Sequence, residues 1–242
     1  MTNVPSRSAR ADNISEEFFV TDTVYDLVIL GAGSGGYAAA LRGAQLGLSV
    51  ALIEADKIGG TCLHRGCVPT KAILHSAETA EAVREAAAVG VRAVFQGIDM
   101  PAVQKYKDGV ISRMHKGLQG LVSSRGIEVV RGWGRLIAED TVEVDGRRYR
   151  GRNVVLASGS SSKTMGQRIS GPVMTSDQAL ELDHVPASAI ILGGGVIGVE
   201  FASAWASLGS QVTVIEGLPR LVPNEDEAIS KQLERAFRKR RI

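Results

Sequence analysis

Short apolar runs alternate with longer stretches of helical period along this chain. Tyr25-Asp26-Leu27-Val28-Ile29-Leu30 and Ser49-Val50-Ala51-Leu52-Ile53 are short and rich in branched residues, which predicts buried strands. A small-residue helix over 37–46 separates them. An alanine-rich stretch over 72–89 reads as one helix. Pro101 opens another, through about Arg125, with Val103, Tyr106, Val110, Met114, Leu118 and Leu121 at helical spacing. Both helices are expected to face the core rather than a site. Residues 128–149 read as short antiparallel strands, with Thr141-Val142-Glu143-Val144 leading into an Asp145-Gly146 turn. Asn153-Val154-Val155-Leu156-Ala157 then returns to a parallel sheet. Ala189-Ile190-Ile191-Leu192, a helix over 199–208 and Gln211-Val212-Thr213-Val214-Ile215 repeat the opening strand, helix, strand order.

The loops between these elements repeat as well. Gly31, Gly33 and Gly36 form a G-x-G-x-x-G fingerprint between the first strand and its helix, and Glu54 closes the second strand. Gly193, Gly195 and Gly198 form a second fingerprint, and Glu216 closes its second strand. Such glycines permit a tight turn, close approach to a pyrophosphate at a helix N-terminus and close helix–strand packing, while the acid accepts from a ribose hydroxyl. Strand, glycines, helix, strand and acid in this order, twice, predict an α/β protein with two Rossmann-like dinucleotide-binding domains of the three-layer kind. The expected division is a tail over 1–22, polar and disordered, an FAD-binding domain over 23–160, and an NAD-binding domain over 161–242. The second domain reads as truncated, which would leave apolar surface and an open sheet edge. Two fingerprints imply two dinucleotides, and the simplest pairing is FAD first and NAD second. Glu216, with no Arg directly after it, favours NAD over NADP, whose extra phosphate an acid would repel.

The only two cysteines, Cys62 and Cys67, lie in Gly59-Gly60-Thr61-Cys62-Leu63-His64-Arg65-Gly66-Cys67-Val68-Pro69-Thr70-Lys71, one strand and one loop beyond the first fingerprint. A bridge between them would close a very short loop and stabilise little. The remaining candidate zinc ligands, His64, His75, His115 and His184, offer no second ligand pair at metal spacing, so no metal is expected. Two inert buried thiols are the plain alternative, but the surrounding sequence is polar and glycine-rich. A thiol pair beside a dinucleotide site points instead to electron exchange with a bound flavin. Its place at a helix N-terminus favours a stable thiolate.

Composition narrows the classes further. The chain of 242 residues is 44% hydrophobic and 22% charged, which fits a packed core, and carries 28 glycines. A net charge of +2 drives binding to neither nucleic acid nor membrane, and Arg238-Lys239-Arg240-Arg241 reads as a solvated last helical turn. No stretch approaches the ~18 apolar residues of a membrane span, and the first 22 residues lack the apolar centre of a signal peptide. Two reactive thiols without a disulfide framework fit a reducing cytoplasm.

These motifs resemble those of the flavin-dependent disulfide reductases, and within them the dihydrolipoyl dehydrogenases, from about Val24 to the last residue. The carrying segments are Gly31-Ala32-Gly33-Ser34-Gly35-Gly36-Tyr37, the stretch from Gly59 to Lys71, and Gly193-Gly194-Gly195-Val196-Ile197-Gly198-Val199-Glu200. The resemblance implies that Cys62 is the interchange thiol and that Cys67, beside the flavin, passes two electrons to its ring. Lys71 is similar to the lysine near the flavin's reactive nitrogen, and Glu200 to the glutamate paired with it, a buried pair. Val196 stands where the family places a gate between flavin and nicotinamide. Gly60, Thr61, Gly134 and Ala157-Ser158-Gly159 match flavin-contacting positions, and Ile197 lies among the nicotinamide-contacting ones. The implied activity is oxidation of protein-bound dihydrolipoamide through the Cys62–Cys67 disulfide and FAD, reducing NAD. The implied partners are lipoyl domains of 2-oxoacid dehydrogenase or glycine cleavage complexes, and a second copy of the full-length chain. The alternatives are a sister reductase acting on glutathione, mycothione or mercuric ion, and a non-catalytic FAD-binding fragment. Three features depart from the family: His64 replaces an Asn, the segment 160–173 is short and lacks a Pro-Gly, and Arg241 stands where a helix-ending Gly is natural. The family pattern continues beyond residue 242 with an interface domain carrying a His-Glu pair, so the chain reads as an N-terminal half.

Overall fold

A computed structural model describes residues 20–242. The expected N-terminal tail lies almost wholly outside the described residues. The first strand, β1 (Val20–Leu30), runs into helix α1 (Ser34–Gln45) and strand β2 (Val50–Glu54). A short helix α2 (Gly60–Arg65) and a long one, α3 (Cys67–Glu85), carry the thiol segment, and a 3-10 turn (Ala86–Val89) ends it. Helix α4 (Met100–Ser124) precedes strands β3 (Glu128–Arg131), β4 (Gly134–Ala138), β5 (Thr141–Val144) and β6 (Arg147–Leu156). The rest comprises α5 (Ser176–Ala179), β7 (Ser188–Leu192), α6 (Val196–Leu208), β8 (Gln211–Ile215) and α7 (Glu227–Lys239).

Six strands form one sheet in the order β3-β2-β1-β6-β5-β4, and β7 pairs with β8 in a second. Pairings among β3, β2, β1 and β6 are parallel, whereas β4–β5 and β5–β6 are antiparallel. Val28, Ile29, Ala51, Leu52 and Ile53 have no exposed surface, as two-faced burial of the central parallel strands requires. The expected element order is present, with three corrections. Glu128–Arg131 is a parallel edge strand on β2 rather than part of an antiparallel set, because α4 carries the chain back to the sheet's far edge. β6 is one strand that pairs with β5 over Arg147–Arg150 and with β1 from Arg148 to Leu156. Its Gly151 sits where a Cβ would lie 2.8 Å from a Val28 methyl. Helix α3 starts at Cys67, five residues before the alanine-rich stretch.

The third correction concerns α4. Its apolar stripe does not close into the core: Tyr106 is 42% exposed, Met114 50% and Leu121 43%. Met100, Lys107 and Val122 are the buried residues of the helix. Lys107 has no exposed surface, and its ammonium donates to the Leu180 carbonyl at 3.1 Å and to Glu181 at 2.7 Å. Gln104 donates to the Leu180 and Leu182 carbonyls at 3.0 and 2.8 Å. These four bonds tie α4 to the C-terminal end of α5, which rotates the neighbouring stripe outward.

The core also joins the two sheets. Ile73 and Ala77 of α3 pack in one cluster with Phe201, Ala202 and Trp205 of α6. A polar set stands beside it. Ser207 donates to Glu81 at 2.6 Å, Arg84 donates to the Ser207 carbonyl, and Arg240 donates to the Ser203 and Ser207 hydroxyls at 2.6 and 2.5 Å. No strand or helix forms over 157–175 beyond an isolated Ser170–Val173 bridge. Arg241 takes a left-handed conformation, φ 59°, at the turn where the sequence suggested that glycine is natural.

Candidate functional site

The two glycine loops are near copies of each other. Gly31 and Gly193 have φ of 99° and 103°, in the region glycine tolerates and other residues rarely enter. The Gly31 amide donates to the Ile53 carbonyl and the Gly193 amide to the Ile215 carbonyl, both at 2.8 Å. A Cβ on Gly36 would collide with the Gly31 carbonyl, and one on Gly198 with the Gly193 carbonyl. Each helix is therefore pressed against its own turn, which is the close approach the fingerprint demands. Helices α1 and α6 start without a side-chain cap or an acidic residue in the first turn. By contrast, α4 and α7 are capped by Asp99 and Asp226. α2 and α3 also start uncapped, and the open amides and dipole at the two glycine loops suit an incoming diphosphate.

The acids serve the loops directly. Glu54 accepts from the amides of Ala32 and Asp56 at 2.7 and 2.9 Å, and Glu216 from those of Gly194 and Leu218 at 2.6 and 2.8 Å. The amides of Leu218 and then Gly194 hold the Glu216 carboxyl below the usual carboxylate range. Each carboxylate retains lone pairs for a ribose, but its visible task is to pin the turn. Arg220, the nearest downstream guanidinium, is engaged by the carbonyls of Pro223 and Glu225 at 2.8 and 3.1 Å.

The thiol segment is docked on the first loop. The Gly59 amide donates to the Ala32 carbonyl at 2.8 Å, and a Cβ on Gly60 would lie 2.6 Å from the Gly33 α-carbon. Gly59 and Gly60 both have positive φ, 113° and 57°. Thr61 and Cys62 follow in α2, and Cys67 opens α3. Both thiols are free, Cys62 partly buried and Cys67 exposed. Burial raises the Cys62 pKa above that of a free cysteine, and the Cys67 thiol raises it further. The Cys67 amide and Lys71 pull the other way. The expectation of a stabilised thiolate is thus corrected at Cys62: desolvation outweighs the amide and the ammonium.

Lys71, one turn into α3, donates to Glu200 of α6 at 2.6 Å. This hydrogen bond is the main reason its ammonium is held more tightly than usual. The pair is not buried as the resemblance implied, since the side chains are 58% and 32% exposed. Ala157-Ser158-Gly159 turns past the first loop, with the Ala157 amide on the Leu30 carbonyl at 2.8 Å and its own carbonyl where a Gly31 Cβ would stand. Val196 and Ile197, in the first turn of α6, are 58% and 59% exposed. Gly134 opens β4, where a Cβ would meet the side chains of Leu30, Ile53 and Val142.

Two features escaped the sequence. Tyr106, Val110 and Met114 line a cleft of about 340 Å³ with Cys67, Val68, Lys71 and Ala72. Their spacing was visible, but only the turn of α4 shows that they face the cleft. His115 of α4 packs edge-on to His64, ring centroids 4.8 Å apart. A larger cleft, about 470 Å³ between Phe95–Pro101 and Asp183–Val185, holds none of the predicted site residues. Among the described residues no group of three or more His, Cys, Asp or Glu is placed to hold a metal ion, and no helix is long and apolar enough to cross a membrane.

Known proteins resemble this chain. The family model described as pyridine nucleotide-disulphide oxidoreductase matches residues 25–242. Dihydrolipoyl dehydrogenase of Bacillus subtilis is 41% identical over 237 residues, covering 91% of this chain and 50% of the relative. Dihydrolipoyl dehydrogenase of Thermus scotoductus is 37% identical, covering 89% and 47%. Among solved structures, the HOCl-induced flavoprotein disulfide reductase RclA from Escherichia coli superposes with a TM-score of 0.70 at 30% identity, covering 90% of this chain and 48% of that one. The chain spans about half the length of the curated relatives it matches. With a family match across nearly all the described residues, and two glycine loops and a thiol pair in one arrangement, the chain belongs to the pyridine nucleotide-disulphide oxidoreductase family.

Proposed function

We propose that the protein to which this chain belongs is a dihydrolipoyl dehydrogenase, with FAD at the first glycine loop and NAD at the second. The observation that carries this reading is the docking of the thiol segment on the first loop, Gly59 to Ala32 and Gly60 against Gly33. It puts a two-electron thiol couple beside one dinucleotide site. The residues fit FAD. Gly31, Gly33 and Gly36 with the uncapped N-terminus of α1 would receive its diphosphate, Glu54 its adenosine ribose, and Gly60, Thr61, Ala157, Ser158 and Gly159 its remaining length. They fit NAD equally: Gly193, Gly195, Val196, Ile197 and Gly198 would line the second site. Glu216 stays ionised, and the nearby Arg220 is already engaged, so a 2′-phosphate would meet a negative charge with no partner. The chemistry a bound flavin supplies is two-electron exchange between a thiol pair and a nicotinamide.

The chain's own residues do the rest. In the oxidised protein the sulfur of Cys62 receives one thiolate of a dithiol substrate, the Cys62–Cys67 bond breaks, and Cys67 leaves as thiolate. The second substrate thiolate then attacks the mixed disulfide, releasing the substrate as a disulfide and Cys62 as a thiol. Two electrons and the matching protons pass from substrate to the cysteine pair. The raised pKa of Cys62 favours it as the thiol that keeps its proton when displaced. Lys71 supplies positive charge beside Cys67 without giving up its proton, because Glu200 holds it. Gly134, with Leu30 and Ile53, supports the strand ends beneath the first loop.

The proposed division is an FAD-binding domain over 23–160 and an NAD-binding domain over 161–242. The proposed partners are lipoyl domains of a 2-oxoacid dehydrogenase or glycine cleavage complex and a second copy of the full-length protein, in the cytoplasm. A sister reductase for another disulfide is the second reading. It is favoured by the likeness to a flavoprotein disulfide reductase at a TM-score of 0.70. The test is NAD-dependent oxidation of dihydrolipoamide by the full native chain, beside NADPH- and NADH-dependent reduction of glutathione and mycothiol disulfides. Turnover with dihydrolipoamide and NAD, lost in Cys62→Ser and Cys67→Ser, supports the assignment. Turnover only with another disulfide selects the second reading, and none with any substrate leaves a dinucleotide-binding module.

A further inference from the structure

We propose that His64 and His115 form an imidazole clamp that positions the redox segment against the first glycine loop, and that a proton on His115 releases it. His64 Nε2 lies 2.9 Å from the Ile58 carbonyl. A carbonyl only accepts, so Nε2 carries the proton. Ile58 immediately precedes the two glycines docked on Ala32 and Gly33, and Cys62 is two residues before His64 in the same six-residue helix. The bond therefore closes α2 onto the loop that leads into it. His115, from α4, backs the His64 ring edge-on at 4.8 Å between centroids and an interplanar angle of 78°. This contact ties α4 to α2.

His115 tolerates a proton poorly. His115 Nε2 is closed to solvent and has no hydrogen-bond partner among the described residues. A proton placed there would be buried unsatisfied. Around the pair, Lys57 of the β2–α2 loop and Arg131 of β3 add positive charge. Asp56, in the same loop, is shared with Arg65 at 3.8 Å, and no carboxylate hydrogen-bonds either ring among the described residues. Burial first, then His64, Lys57 and Arg131, holds the His115 pKa below its ordinary value. The sign follows. A folded state that binds fewer protons than the unfolded chain is fully stabilised above the ordinary histidine pKa of about 6.5 and loses that contribution as the pH falls through the lowered value. A neutral His115 ring backs the clamp, and a proton on it places an unpartnered buried charge against the His64 ring.

The inference rests on reading 58–67 as the redox segment, but its test does not depend on turnover. Amide hydrogen exchange of the 58–66 peptide, corrected for the intrinsic pH dependence of exchange, is followed by mass spectrometry in the full native chain. The same samples are assayed for bound flavin and for NADH-driven thiol reduction. In the unaltered protein, protection of 58–66 is expected to fall roughly five-fold on acidification from neutral pH through the lowered His115 value, the scale of one lost hydrogen bond. His115→Ala lowers it about as far at neutral pH. His115→Phe keeps a ring against His64 that takes no proton, so protection stays high and the acid step disappears. A flat pH profile in the unaltered protein, unchanged protection in His115→Ala, or an acid step that persists in His115→Phe would each overturn the clamp. If His115→Ala loses protection throughout the chain, the His115→Phe profile decides alone. Absence of flavin with the acid step intact would count against the proposed function and leave the clamp standing.

Discussion

At the residue scale, glycines separate into those the geometry requires and those it does not. Gly36 touches the Gly31 carbonyl, whereas a Cβ on Gly35, one residue earlier in the same helix, meets nothing within 4 Å. Gly36→Ala is expected to cost about 1–3 kcal/mol of stability and to lose bound flavin. Gly35→Ala, in open helical space, should be neutral or gain up to about 1 kcal/mol and keep its flavin. Thermal unfolding and flavin release on the two variants decide this, and equal losses would contradict it. The same scale governs the thiols. The fold favours the protonated form of Cys62, so its contribution is complete below the unfolded cysteine pKa and is lost as the pH rises through the raised folded value. In the reduced protein, the alkylation rate of Cys62 should therefore reach half-maximum at a higher pH than a free cysteine in the denatured chain. A midpoint at or below that reference would contradict the desolvation argument.

At the element scale, local signals wrote most of the fold and long-range packing wrote the exceptions. The fingerprint turns, their helices and the paired strands were legible because glycine spacing and apolar runs are properties of adjacent residues. The Asp145-Gly146 turn, with φ of 48° and 78°, was legible for the same reason. The parallel pairing of Glu128–Arg131 was not, because register with β2 depends on where α4 returns the chain. The outward face of α4 was hidden too. A lysine in a helical stripe reads as surface, and only the Leu180 carbonyl and Glu181 show why Lys107 is inside. Lys107→Ala, leaving a cavity and removing the ammonium from the Leu180 carbonyl and Glu181, is expected to cost about 2–4 kcal/mol. Lys107→Met, which refills the volume, should recover at least half of that loss. Denaturant midpoints on both variants check the account, and two silent substitutions would show that α4 is not held by this latch.

At the scale of the whole molecule, the site is a junction. The thiols come from the α2–α3 segment, the first glycine loop from the six-stranded sheet, and Glu200 from a helix of the second. The sequence named each part because each has its own motif, but it could not show how the parts meet. Cys62 lost the expected thiolate stabilisation to burial. Lys71 and Glu200 met as expected but remained open to solvent. Apolar residues Ile190, Leu192 and Ile215 of the two-stranded sheet stay more than half exposed. The central claim is that this junction passes two electrons between a nicotinamide and the Cys62–Cys67 pair. The most direct measurement oxidises the flavin-bearing full native chain, adds one equivalent of NADH without oxygen, and counts alkylated cysteines in the 59–71 peptide. The account predicts that both cysteines become alkylated with NADH, that neither does without it, and that removing the flavin abolishes the change. A disulfide that survives NADH in the flavin-bearing protein would contradict it.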